Sequence, residues 1–120
     1  MKQRILVVDD SYYMRTILKN MLVDAGFNVV DEAASGEAAE KMVSDHNPDL
    51  VTLDLILPDN TGLEVLKNIK NLYPHTKVVI VSAVGQESVV KEAMDLGASA
   101  YIVKPFEENK VVEIINNCFN

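Results

Sequence analysis

Five short apolar runs, separated by stretches of helical period, restrict the possible folds of this chain more than any other feature. They are Ile5–Val8, Val29–Ala33, Leu50–Leu53, Val78–Val81 and Ala100–Val103, and β-branched residues dominate them. Between the first two, Met14, Ile17, Leu18, Met21, Leu22 and Ala25 fall at i, i+3, i+4, i+7, i+8 and i+11. That spacing is one continuous stripe on a helix, and Gly26 is placed to cap its end. A second helix is expected from Ser35, burying Ala38, Ala39, Met42 and Val43, until Asn47-Pro48 stops it. The third opens on Thr61-Gly62-Leu63-Glu64, a capping-box pattern. It should bury Leu63, Leu66 and Ile69 and end before Pro74. The fourth runs from about Gln86 to Leu96 and ends at Gly97. The fifth starts near Glu107 and carries Val111, Val112, Ile115 and Cys118 inward.

Alternating strands and helices imply an α/β fold, a parallel sheet covered on both faces. Solid apolar runs suit strands buried on both sides. The 120 residues, 48% hydrophobic, suit one core and one domain over residues 1–120. No repeat, linker or low-complexity segment interrupts them.

Charge and composition remove several function classes. A net charge of −7 argues against binding nucleic acid. The apolar runs are far too short for membrane insertion, and the opening Met1-Lys2-Gln3-Arg4 shows no signal-peptide pattern. A single cysteine, Cys118, cannot close an internal disulfide, so a reducing cytoplasm is the expected location. Cys118 itself reads as a packing residue. His46 and His75 stand in loop contexts beside Pro48 and Pro74, without metal-ligand spacing, and read as surface residues.

In an open parallel sheet, ligands bind beyond the carboxyl ends of the strands. Asp9 and Asp10 follow the first strand, and Ser35-Gly36 the second. Asp54 ends the third, Ser82-Ala83 the fourth and Lys104-Pro105 the fifth. Taken singly, each has an ordinary reading. Asp9-Asp10 could cap a helix, Asp54 could end a strand, Ser82 could start a turn and Lys104 could face solvent. Tyr101 could be a core or edge aromatic. Together they put three carboxylates, a hydroxyl and an ammonium at one end of the sheet. Crowded carboxylates attract a divalent cation, and oxygen-only donors suit magnesium. A carboxylate beside such an ion can act as a nucleophile toward phosphorus. Tyr12 and Tyr13 could line the mouth of this cleft, or equally be packed or simply exposed.

Val7-Val8-Asp9-Asp10-Ser11, Leu53-Asp54-Leu55-Ile56-Leu57-Pro58, Val81-Ser82-Ala83 and Tyr101-Ile102-Val103-Lys104-Pro105-Phe106 together resemble the receiver domain family of two-component response regulators. The likeness covers essentially the whole chain and looks most similar to stand-alone, chemotaxis-type members. It implies a flavodoxin-like doubly wound five-stranded sheet of order 2-1-3-4-5 with five helices. It implies that Asp54 is the phosphoacceptor, taking a phosphoryl group from a histidine kinase and acting as a switch rather than an enzyme. Asp10 and Asp54 match the direct ligands of Mg2+, Asp9 a ligand acting mainly through water, and Ile56 the backbone carbonyl ligand. Lys104 and Ser82 match the groups that hold the phosphoryl oxygens, and Tyr101 the aromatic switch. The Lys104-Pro105 bond is cis in the family. The fourth helix, fifth strand and fifth helix would form the docking face for a downstream protein such as a flagellar motor switch. A phosphatase is a possible further partner, and a monomer is expected.

Many relatives carry a polar side chain two residues after the acceptor, where this chain has Ile56, and Val84 stands two after Ser82. Neither side chain can orient an attacking water, which implies slow hydrolysis of the aspartyl phosphate. Other readings compete. A phosphorelay intermediate or a receiver fragment of a larger regulator would carry the same residues. An aspartyl-phosphate hydrolase would need a second Asp two residues after its nucleophile on the first strand, not adjacent Asp9-Asp10. An FMN binder would need a hydroxyl- and glycine-rich first loop. A degenerate receiver used only for docking would not need the acidic set and Lys104.

Overall fold

In the computed structural model, which describes residues 2–120, strands and helices alternate along the chain. They are β1 (Arg4–Val8), α1 (Tyr12–Asp24), β2 (Asn28–Ala33), α2 (Gly36–His46), β3 (Leu50–Leu53), α3 (Gly62–Leu72), β4 (Lys77–Ser82), α4 (Glu87–Asp95), β5 (Ala100–Val103) and α5 (Glu108–Cys118). All strand pairs are parallel, in the order β2-β1-β3-β4-β5. This is the flavodoxin-like order that the resemblance implied. Among the described residues, no helix is long and apolar enough to cross a membrane.

Period-2 alternation divides the sheet between two cores. Leu6, Val8, Val51, Leu53, Val78 and Ile80 face α2, α3 and α4. Ile5, Val7, Leu50, Val79 and Val81 face α1 and α5. The central strands β1, β3 and β4 are buried apart from the half-buried Arg4 and Lys77. β2 departs from the expectation of double burial, because it is an edge strand and mostly half-exposed. Its Asp31 and Glu32 are tolerated there because their carboxylates reach His46, at 3.0 Å, and Arg15, at 3.0 Å. A register shift between Ile5 and Leu6 leaves Val30 without a partner.

The caps explain the helix boundaries. The hydroxyls of Ser11, Ser35 and Thr61 accept N–H groups from Met14, Ala38 and Glu64. The return half of the capping box is not formed, because the Thr61 N–H donates to Asn60 Oδ1 at 2.8 Å. In α3 the sequence pattern missed buried Val65, while Leu63 is only half-buried. Ala38 and Met42 of α2 are half-buried as well. α1 and α4 cap on Ala25 and Leu96, with left-handed Gly26 (φ 96°) and Gly97 (φ 108°) one residue later. Phe27 and Ala98 then donate back to Leu22 and Ala93, closing both helices.

The β3–α3 connection is pinched at its base. Gly62 N–H donates to the Leu55 carbonyl at 2.8 Å, and Ile56 bridges Thr61. A Cβ on Gly62 would lie 2.4 Å from both the Asp54 carbonyl oxygen and Leu55 Cα. Gly62→Ala must therefore push backbone apart, and chemical denaturation should show a loss of roughly 3 kcal/mol. The Thr52 hydroxyl, buried in β3, has no hydrogen-bond partner among the described residues. Thr52→Val removes that unpaired group and should raise stability by about 1 kcal/mol, read as a higher melting temperature.

Candidate functional site

Val8 of β1 lies across from Leu53 of β3, so the next residues, Asp9 and Asp54, leave the sheet side by side. Their backbones stay anchored, with Asp9 N–H donating to Ala33 and Asp54 N–H to Val8. Both residues are almost fully buried, at 1% and 5% exposure. Asp10 is exposed. One carboxylate oxygen from each of Asp9, Asp10 and Asp54 lies within 4.8 Å of the others. This cluster could hold a metal ion.

The remaining donors around the carboxylates are specific. Ser11 N–H donates to Asp9 Oδ1 at 2.9 Å, and Ile56 N–H to Asp54 Oδ1 at 3.1 Å. The Lys104 ammonium stands 2.7 Å from Asp9 Oδ2 and 2.9 Å from Asp54 Oδ2. Burial alone would pull the Lys104 pKa down, but its hydrogen bonds to Asp9 and Asp54 and their charges hold it above the usual lysine value. Three carboxylates and one ammonium, −3 + 1, leave a formal charge of −2. That residue of charge matches a divalent cation, and the donors are all oxygen.

Ser82 is fully buried at the end of β4, where its Oγ accepts the Val84 N–H at 3.3 Å. The Tyr101 hydroxyl donates to the carbonyl of the same Val84. Burial, then the nearby Asp54 charge, raises the Tyr101 phenol pKa. Lys104 N–H donates to the Ser82 carbonyl at 2.9 Å, and the Lys104-Pro105 bond is cis. The structure therefore brings Asp9, Asp10, Asp54 and Lys104 together, and links Ser82 to Tyr101 through Val84. Ile56 is 56% exposed.

Other residues fall outside this group. Tyr12 and Tyr13 are both exposed. His75 is exposed, but His46 is half-buried and bound to Asp31 rather than free on the surface. Cys118 is half-buried against the α1/α5 core, and burial raises its thiol pKa. Two contributors had no sequence signal. Arg15 donates to the Asp9 carbonyl at 2.7 Å and to Glu32, which only the packing of α1 against β2 brings about. Asp59 bonds the start of α2 and reads locally as an ordinary turn residue after Pro58.

The response regulator receiver domain family matches residues 5–116. The chain is 43% identical over 120 residues to chemotaxis protein CheY of Bacillus subtilis, covering 100% of both. It is 33% identical over 115 residues to the sporulation initiation phosphotransferase F of Bacillus subtilis, covering 96% of this chain and 92% of that protein. A chain of the CheX-CheY-BeF3-Mg+2 complex from Borrelia burgdorferi superposes with a TM-score of 0.95 at 36% identity, covering 98% of this chain and 90% of that one. The family match begins in β1 and ends inside α5, taking in every strand end described above, and the chain belongs to the response regulator receiver domain family.

Proposed function

We propose that Asp54 accepts a phosphoryl group from the phosphohistidine of a histidine kinase, and that the change alters the α4–β5–α5 face read by a protein partner. The observation that carries this reading is the buried Asp54 carboxylate, 2.9 Å from Lys104 and clustered with Asp9 and Asp10. Asp9, Asp10, Asp54 and the Ile56 carbonyl are the groups that would hold Mg2+. When bound, the ion supplies positive charge for the carboxylates and the transferring phosphoryl group.

The chain's own residues do the rest. An Asp54 carboxylate oxygen attacks phosphorus, the P–N bond of the donor breaks, and the imidazole leaves. Lys104, still anchored to Asp9, exchanges its bond to Asp54 for a phosphoryl oxygen. Ser82 turns its hydroxyl from the Val84 N–H toward the same group. Val84 is bonded to Ser82 through its N–H and to Tyr101 through its carbonyl, so the Ser82 shift reaches the aromatic ring in one residue. The outcome is a shift between existing conformations, with a docking surface as the readout. The protein is thus a phosphoacceptor rather than a turnover enzyme.

Likeness to CheY of Bacillus subtilis supports a chemotaxis output such as flagellar motor control. Likeness to sporulation initiation phosphotransferase F supports a second reading, a carrier that passes the phosphoryl group onward. Recovery of the label on a histidine of a second protein would favour the carrier.

Beryllofluoride with Mg2+ should shift the amide resonances of Ser82, Val84 and Tyr101, and Asp54→Ala should abolish the response. A silent wild type, or a response that survives the substitution, refutes the assignment of Asp54. The side chains of exposed Ile56 and half-buried Val84 have no polar atom to orient water, so the aspartyl phosphate should persist until a phosphatase acts. Ile56→Asn should speed its hydrolysis in a radiolabel-decay assay, by less than the roughly hundredfold a full general base contributes, because the amide orients water without taking its proton. An equal or slower rate rules the idea out.

A further inference from the structure

Asp59 stands outside the carboxylate cluster, yet it is bonded to an element 22 and 23 residues away. Its Oδ1 accepts the Gly36 N–H at 2.8 Å and its Oδ2 accepts the Glu37 N–H at 2.9 Å. These are first-turn amides that α2 cannot satisfy itself, and a negative charge suits that end of a helix. The N–H groups of Glu37 and Gly36 accordingly hold the Asp59 carboxyl below its ordinary pKa. α2 thus has two caps, a local one from Ser35 and a remote one from the β3–α3 connection.

The contact is close. A Cβ on Gly36 would lie 2.9 Å from Val65 Cγ2 and 3.3 Å from Asn60 Cβ, so the first turn of α2 rests against Asn60 and α3. At its base the connection is fixed by Gly62 N–H to the Leu55 carbonyl and by the Ile56–Thr61 bridge. Ile56 lies inside this clamped segment, and its own N–H reaches Asp54 Oδ1 at 3.1 Å.

We infer that Asp59 is a positioning residue for cation binding, tying segment 56–61 to the N-terminus of α2 so that the Ile56 backbone is held beside Asp54. This rests on the reading that Asp9, Asp10, Asp54 and the Ile56 carbonyl hold Mg2+. Coupling of this kind is reciprocal, so the cation also steadies the first turn of α2.

The test measures Mg2+ affinity by titration calorimetry for the wild type, Asp59→Ala, Asp59→Asn and Ser35→Ala, with amide hydrogen exchange alongside. Asp59→Ala should weaken Mg2+ binding by roughly tenfold, the low end of the scale expected for a group that orients a ligand without touching the ion. Asp59→Asn, which keeps one of the two acceptor oxygens and turns an amide NH2 toward the other N–H, should recover only part of that loss. Ser35→Ala removes the local cap of the same helix, so it should lower the melting temperature while Mg2+ affinity stays within about twofold. Mg2+ should slow exchange at Gly36 and Glu37 in the wild type but not in Asp59→Ala. Unchanged affinity in Asp59→Ala overturns the inference. So does an equal loss in Ser35→Ala, which would mean helix stability alone. A wild type that binds no Mg2+ removes the cation reading itself, and the positioning role with it.

Discussion

Asp9 and Asp54, 1% and 5% exposed, share one ammonium at 2.7 and 2.9 Å. A buried carboxylate without a partner costs several kcal/mol, so this pair survives only because Lys104 and two backbone N–H groups reach it. The sheet order makes that meeting possible. β1 and β3 must be neighbours to set the carboxylates side by side, and the chain leaving β5 must pass over the same end. Even then the cluster keeps a formal −2, from three carboxylates and one ammonium. Pure stability would favour fewer charges at this point. The excess is what a site built to receive positive charge would carry.

Around that charged centre the scaffold divides into a rigid part and an adjustable rim. The central strands are packed on both faces and fix where Asp9, Asp54 and Ser82 emerge. The connections beyond them are held by a few hydrogen bonds each. Val84 is gripped at both backbone groups, by Ser82 and Tyr101. The 56–61 segment is clamped at its base by Gly62 and at its tip by Asp59 on α2. Small rearrangements of such bonds can move a surface without disturbing the core, as a switch that changes partners requires.

Much of this could be read in the residues themselves. The apolar runs located all five strands to within a residue at either end, and Gln86, Leu96 and Glu107 fell on helix caps. β2 was misjudged because Val29 and Val30 dominate its first half, and only its edge position explains why Asp31 and Glu32 can follow. The capping box at Thr61 failed in its second half because Asn60, a neighbour in sequence, competes for the same N–H. His46 looked like a free surface histidine because nothing local reveals that Asp31 stands opposite it.

What the sequence alone determined is therefore local: the period of each segment, its stopping residues, and which chemical group follows each strand. These depend on neighbours a few residues apart, where backbone geometry allows little choice. The composition of the candidate site, Asp9, Asp10, Asp54, Ser82, Tyr101 and Lys104, follows from that reading together with the family resemblance. The tertiary structure alone decided which carboxylates are buried and which is exposed, that one Lys104 serves two of them, and that Asp59 caps a helix from another connection. Lys104 and Asp9 lie 95 residues apart, and Asp59 and Gly36 lie 23 apart. Contacts at that range are set by strand order and register, which no local pattern of residues encodes.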